Sequence, residues 1–463
     1  MSKRKAIFNF IGLFLFISAI VVLNESIVIT EAHLQLQLSK YYFAGGALLL
    51  FLAFIFMWVF AKHKELVNWK AFLLIVLAFA APIVAVFLHP GTITFTATAG
   101  DGISQSVSLT LGLFARFQSL FFALSSALVV YLLIIVIPKL IKTKTILMVF
   151  LYVLVIALVA LIGYSVVVEW DQYYLLFSTG DIDYYSPTIS LFSNTNVFGY
   201  YLSLGIFALG ILDSLKHRFW HYGLMLVFTI SLLLTITITS YIGAFTFLIA
   251  FIVYDLVTQF KKHPVSASIW TVSLGTILFA VIIGFMLSDL ALARSIREDF
   301  IPESVESLQA RLMIWRHARE MIFEGNLFVG NGLAIANALL QVAIGVEGGA
   351  NPTNRFHNGW YDVMASGGIV GLAFYLIGLG FIVYLVVKRY KYNHRIALTV
   401  LFILIGILIQ SVAEAKVFFK ADAMGTLGTL LVTVPLLIEP KLIDERPTIT
   451  RLPRMFSLDP PAK

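Results

Sequence analysis

The chain has 463 residues, 60% of them hydrophobic and only 12% charged, with a mean hydropathy of +0.94, whereas a soluble domain carries about a quarter charged residues. These figures exclude a soluble globular protein and describe a polytopic membrane protein, in which the bilayer replaces one large water-excluding core. The absence of cysteine excludes disulfides and thiolate chemistry, and the net charge of +7 needs no nucleic-acid partner, because membrane topology accounts for it.

The chain begins MSKRK and then runs apolar. No small-x-small cleavage site follows Val22 and Asn24-Glu25 comes next, so this start reads as a retained first span rather than a signal peptide. The hydropathy predicts an all-α, polytopic helical bundle of about twelve membrane helices. They fall at roughly 7–23, 41–61, 70–89, 115–137, 145–168, 197–213, 221–238, 241–258, 268–287, 365–387, 396–413 and 421–438. Pro82 is expected to kink the third. The run 222–257 is too long for one helix, and polar TITITSY (235–241) offers the turn that divides it.

Lys and Arg cluster in alternate gaps, at 62–70, 139–144, 215–221, 259–263 and 388–395. With both termini these gaps hold 22 of the 32 basic residues, which makes that side cytoplasmic. Of the ten basic residues on the other side, seven are arginines. The chain thus divides into nine spans (1–287), a long extracytoplasmic loop (288–364), three spans (365–438) and a cytoplasmic tail (439–463).

Residues 90–107 and 169–196 read as ordinary outer loops, with the acidic DID (181–183) a solvated turn. The 288–364 loop is too long for a simple connection. A helix-start signature at Pro302–Glu306, helical spacing of Val305, Leu308, Leu312, Trp315 and Ile322, and Gly325 as a stop predict one helix. A second is predicted over 333–344, before a turn at 346–356. On the first helix Arg319 is placed inside the apolar stripe, Arg311 at its edge, and Arg316 and Glu320 on the solvated face.

The loop carries six arginines between Arg294 and Arg355 and no lysine. The planar guanidinium fork grips phosphate two bonds at a time. His357 lies where the chain re-enters the membrane, next to Asn358. Arg116 stands at the outer edge of the fourth span, where a charge either serves function or snorkels. Glu414, Lys416 and Lys420, in the last outer turn, read as a solvated rim. Arginines, one histidine and an adjoining bilayer point to chemistry on a phosphate-bearing lipid. A transporter is the main rival reading, but no internal repeat is visible and the spans are nearly free of mid-membrane charge.

The string RLMIWRHAREMIFEGNLFVGNGL (311–333), followed by HNGWYDVMASGGIVGLAFYL (357–376), resembles the signature of the O-antigen ligase and Wzy-type polymerase superfamily of bacterial polysaccharide enzymes. Arg319 and Gly330 have the arginine–ten–glycine spacing of the polymerases, and FSNTNVFGYYLSLG (192–205) is similar to the family's asparagine-rich lead into a span. One departure is Tyr241, in TSYIGA (239–244), where the family carries the arginine of a Ser-Arg pair. The resemblance implies a GT-C-like glycosyltransferase of the bacterial plasma membrane. Its substrates are an undecaprenyl-diphosphate-linked glycan donor and a glycan acceptor, with polysaccharide-assembly proteins as possible partners. It implies His357 and Arg311 in catalysis, with Arg319, Arg116, Arg355 and Asn358 binding diphosphate or glycan. Arg116 or Arg355 is expected to stand in for the arginine absent at Tyr241. No cofactor and no metal are expected, since DID is the nearest approach to a paired-carboxylate motif.

Overall fold

The computed structural model describes scattered residues of 7–19 and then most of 39–60, 67–141, 143–179, 195–262, 301–345, 356–414 and 418–438. The spans expected at 7–23 (in large part) and 268–287, the DID turn, Arg355, Lys416 and the tail 439–463 lie outside the described residues. The protein is mostly helical. Six helices are individually long and apolar enough to cross a membrane, or seven if one bent pair counts as a span.

The elements run α1 (Ser39–Ile55), α2 (Trp69–Ala78), α3 (Ala80–Leu88), β1 (Thr92–Thr98), β2 (Ser104–Thr110), α4 (Leu113–Tyr131), α5 (Lys144–Val168), α6 (Trp170–Thr179), α7 (Thr195–Leu215), α8 (Phe219–Leu233), α9 (Ile238–Lys262), α10 (Ile301–Glu324), α11 (Leu333–Gly345), α12 (Gly359–Tyr390), α13 (His394–Ala413) and α14 (Ala423–Leu437). α1 and α4 each continue through a π-helical turn, Phe56–Phe60 and Leu132–Val136.

The kink expected from Pro82 is a 52° bend between α2 and α3. The break falls at Phe79 because the Pro82 ring clashes with the carbonyl four residues back, that of Ala78, and has no N–H to give it. The polar turn divides α8 from α9 as expected, with Ile236 at φ 50° and Thr235 bonded to its own turn. The stretch 288–364 holds both predicted helices, α10 ending before Gly325 and α11 spanning 333–345.

The fold is not purely α-helical. In and just past the stretch expected as a loop (90–107), Thr92–Thr98 and Ser104–Thr110 form an antiparallel strand pair in which Thr92 pairs with Thr110 and Thr98 with Ser104. The signal was present in alternating, Thr-rich TITFTAT and SQSVSLT around Gly100-Asp101-Gly102. The hairpin reaches α10 through Thr96, whose N–H donates to Glu324 Oε2 at 2.9 Å.

α7 is buried almost all round and is the axis of the bundle. Two of its glycines make room for rings: a Cβ on Gly205 would meet Phe228 at 2.2 Å, and one on Gly210 would meet Phe247 at 2.4 Å. α9 and α13 touch backbone to backbone at Gly243 and Gly406, the small-residue contact that lets membrane helices approach without a hydrophobic drive from water.

α13 separates two polar clusters. Arg395, in its first turn, bonds Asp213 Oδ2 at 2.7 Å and Asp255 Oδ2 at 3.1 Å. Fully buried Asp213 also meets His221 at 3.3 Å, and Tyr152 OH lies 3.0 Å from the other ring nitrogen of His221. Glu414, just past the last turn of α13, belongs to the second cluster, roughly 28 Å away at ~1.5 Å of rise per residue.

Candidate functional site

The second cluster is assembled from three segments. α10 contributes Arg311, the start of α12 contributes His357 and the end of α13 contributes Glu414. Arg311 Nη2 donates to Glu414 Oε1 at 3.3 Å, and His357 Nδ1 lies 3.3 Å from Glu414 Oε2. The side chains of Glu414, Arg311 and His357 are 7, 17 and 22% exposed. The ring contact is close but not aligned as a hydrogen bond. Glu414 is therefore not a solvated rim residue, as its position in a short polar turn suggested. It is buried between a cation and an imidazole, and local sequence could not place those beside it.

The backbone at the histidine is held in an unusual state. His357 has φ 46°, in the left-handed region that non-glycine residues seldom occupy. Neighbours on both sides impose it. Trp315, one turn along α10 from Arg311, donates its indole N–H to the carbonyls of Phe356 and His357 at 3.1 and 3.3 Å. Asn358 caps α12, its Oδ1 accepting from the Trp360 and Tyr361 amides, while its Nδ2 donates to Val412 O at 2.7 Å. Strain of this sort persists where the surroundings over-determine it. Asn358, expected to bind substrate, has its amide group committed to holding α12 against α13.

The glycine-rich parts of the motif meet each other. Asn331 and Gly332 donate to the carbonyls of Ala365 and Ser366, and Ile369 and Val370 donate to those of Leu327 and Phe328. This zipper breaks α12 at Gly368, which has φ 62°. Gly330, at φ 70°, faces the break, and a Cβ on it would lie 2.6 Å from Gly367 N. The zipper sets α10 and α11 against the membrane helices.

The other expected site residues that are described make contacts of their own. On α10 the buried side is Ile314, Ala318, Met321 and Ile322, so of the expected stripe Ile322 faces the core and Trp315 is half-buried, whereas Leu308 and Leu312 are exposed. Arg319 is exposed on that outward side, while Arg316 is half-buried and Glu320 bonds buried His317 at 3.2 Å. Arg116 bonds the carbonyls of Val86 (3.3 Å) and His89 (2.9 Å), which caps the C-terminal end of α3. Tyr241 OH donates to Leu233 O at 2.6 Å and closes the α8–α9 turn, a bracing role with no arginine in it.

Two features went unread in the sequence. Lys420 Nζ bonds buried Asp362 Oδ2 at 2.8 Å, again removing a residue from the supposed rim. His89, just past the end of α3, has its pKa lowered, first by burial and then by the charge of Arg116, and its Nε2 has no hydrogen-bond partner among the described residues. Among the described residues no group of three His, Cys, Asp or Glu is placed to hold a metal.

No protein-family model matches the chain, and a search of curated proteins returns no match.

Proposed function

We propose that the chain is a membrane glycosyltransferase that polymerises undecaprenyl-diphosphate-linked oligosaccharide repeats into a surface polysaccharide. In this reading it sits in the bacterial plasma membrane as a GT-C-like bundle of about twelve spans. Both termini are cytoplasmic, and α10 and α11 lie outside. The observation that carries the reading is the Arg311–Glu414–His357 constellation: three segments distant in sequence converge on one half-buried point at the end of the bundle.

The chemistry follows from those groups. A sugar hydroxyl of the acceptor attacks the anomeric carbon of the donor. The bond from that carbon to the diphosphate oxygen breaks, and the lipid diphosphate departs with the electron pair. Glu414 beside Nδ1 orients His357, so that its other nitrogen takes the hydroxyl proton. One guanidinium nitrogen of Arg311 engages Glu414, and the remaining donors of the fork meet the charge that grows on the leaving diphosphate.

The purified protein, given only lipid-linked repeat units, is expected to yield a ladder of longer lipid-linked chains, and to do so in EDTA. Transfer only after a terminal acceptor such as lipid A-core is added identifies a ligase instead. Loss in EDTA that Mg²⁺ reverses overturns the metal-free chemistry. A lipid-linked glycan flippase is the reading favoured by the buried Asp213–Arg395–Asp255 network. That network sits at helix ends rather than mid-span, where it braces α7, α9 and α13. Glycan movement across liposomes without any transfer would establish the flippase.

A further inference from the structure

α10 has two apolar faces. One packs against α11, α12 and the hairpin through Ile314, Ala318, Met321 and Ile322. The other is open: Leu308, Leu312 and Phe323 are 48, 53 and 64% exposed. At about 3.6 residues per turn these three and Arg319 fall within about 60° of arc, so they form one stripe with the arginine inside it. α10 also carries three arginines and four glutamates, too many charges to cross a bilayer. An open apolar stripe on a charged helix is the pattern of a helix lying in the membrane interface.

The stripe leads to a surface that faces lipid. Five residues after Phe323 comes Phe328, 68% exposed. The carbonyls of Leu327 and Phe328 accept from Ile369 and Val370 of α12, and those two side chains are exposed as well. α12 is long and apolar enough to cross a membrane, and its open apolar side continues through Leu376 and Ile377. The charge of the stripe is also suited to a lipid surface. Arg319 is exposed, and the residues three and four places from it on α10 are Trp315, Arg316, Ile322 and Phe323, so no acid on the helix stands in position to pair with it. Neighbouring Glu320 bonds His317, and Glu324 accepts from the Thr96 amide. An arginine can lay its stem along apolar surface and turn its head to phosphate, still within reach of water.

We propose that the open stripe of α10 is seated on the phospholipid leaflet at that end of the bundle. Leu308, Leu312 and Phe323 meet the acyl boundary and Arg319 meets the lipid phosphates. The inference needs α12 to cross the bilayer and does not rest on the glycosyltransferase reading. Arg311 and Trp315 lie on the flank of α10 between the stripe and the buried side, so this seat holds the Arg311–Glu414–His357 cluster at headgroup depth.

The test uses the full-length chain, which has no cysteine, carrying a fluorophore on single introduced cysteines. The protein is reconstituted in vesicles of phosphatidylethanolamine and phosphatidylglycerol that contain phospholipid spin-labelled near the head of its acyl chain. Dyes at Leu308→Cys, Leu312→Cys and Phe323→Cys should be quenched by the labelled lipid and protected from aqueous iodide. A dye at Ala310→Cys, exposed on the opposite side of the helix from Leu312, should show the reverse. The stripe positions are exposed, so these substitutions leave the fold intact, and agreement between two of them decides the result. Arg319→Gln should lower the ratio of seated to released helix roughly fivefold, as for loss of one basic contact with an anionic surface, and Arg319→Lys should keep it. Iodide quenching alone along the stripe, or equal lipid quenching at 310 and 312, overturns the proposal. Disulfide-linked dimers of unlabelled Leu312→Cys, without lipid quenching, overturn it in favour of a second copy. Unchanged seating in Arg319→Gln overturns the phosphate contact. Seating in a protein that transfers no glycan supports the proposal and removes only the enzyme reading.

Discussion

His357 Nδ1 lies 3.3 Å from Glu414 Oε2, across the junction where α12 begins and α13 ends. Arg311 holds the other oxygen of the same carboxylate, at 3.3 Å. One buried acid therefore lies against both a cation and an imidazole.

Glu414→Gln keeps the shape and removes the charge. Glycan transfer should fall by about 10²–10³, similar to the removal of one transition-state donor, with protein level unchanged. Arg311→Ala and His357→Ala should each cost as much, and Arg311→Lys should also be poor because an ammonium cannot make the paired contact. A Glu414→Gln/His357→Ala double variant should lose little more than either single one, since the groups act as a unit. Rates in membranes containing matched protein decide this. Near-normal polymer from the single variants removes the site.

The zipper between 327–332 and 365–370 predicts a sharp contrast among glycines. Gly330→Ala and Gly368→Ala each add a Cβ to a positive-φ position, and each Cβ lands within 2.6 Å of backbone. Each should destabilise by at least about 1–3 kcal/mol and depress the melting temperature by several degrees. Gly371→Ala, whose Cβ would meet only Val363 O at an ordinary 3.8 Å, should be neutral or should gain up to about 1 kcal/mol of helix propensity. Thermal melts in one detergent compare the three directly.

His89 predicts a pH dependence. Its folded pKa lies below the unfolded value because burial and then Arg116 disfavour the charged ring. The unfolded chain thus binds a proton that the folded one refuses, so this contribution is fully present above the ordinary histidine pKa of about 6.5 and is lost as pH falls below it. The melting temperature should drop between pH 7 and pH 5, and His89→Gln should flatten that drop. An unchanged pH profile in the variant disproves the assignment.

Asp213→Ala strands Arg395, Asp255 and His221 at the far end of α13. Loss of one partner from a buried charge network costs about 3–5 kcal/mol, so folded protein should fall sharply. Arg395→Ala should do the same, and the Asp213→Asn/Arg395→Met pair should recover part of the loss.

The chain contains no cysteine, so single-cysteine labelling reads the topology without background. An impermeant reagent applied to intact cells should label a cysteine at exposed Arg319 and not one at exposed His217. The reverse pattern inverts the proposed orientation.

Hydropathy by itself determined the helical membrane class, the separation of α8 from α9 at 235–241, the break near Pro82, and both helices of the long loop. Each depends on forces acting within one stretch of chain: the need to bury apolar side chains, the missing N–H of proline, the capping of a helix end. The same local logic failed where two faces of a helix were both partly apolar. Of the stripe expected to face the core of α10, Ile322 is buried and Trp315 half-buried, but Leu308 and Leu312 are exposed, and Ile314, Ala318 and Met321 complete the buried side, because contact with α11, α12 and the hairpin chose the face. That choice turned Arg319 outward and Arg311 inward. The site was legible only as a set of residue types, arginine and histidine beside a membrane. Tertiary structure alone brought Glu414 to Arg311 across 103 residues, put Lys420 on Asp362, and engaged Arg116 and Asn358 as braces. A buried charge must find its partner in space, and nothing in the spacing along the chain says where that partner is.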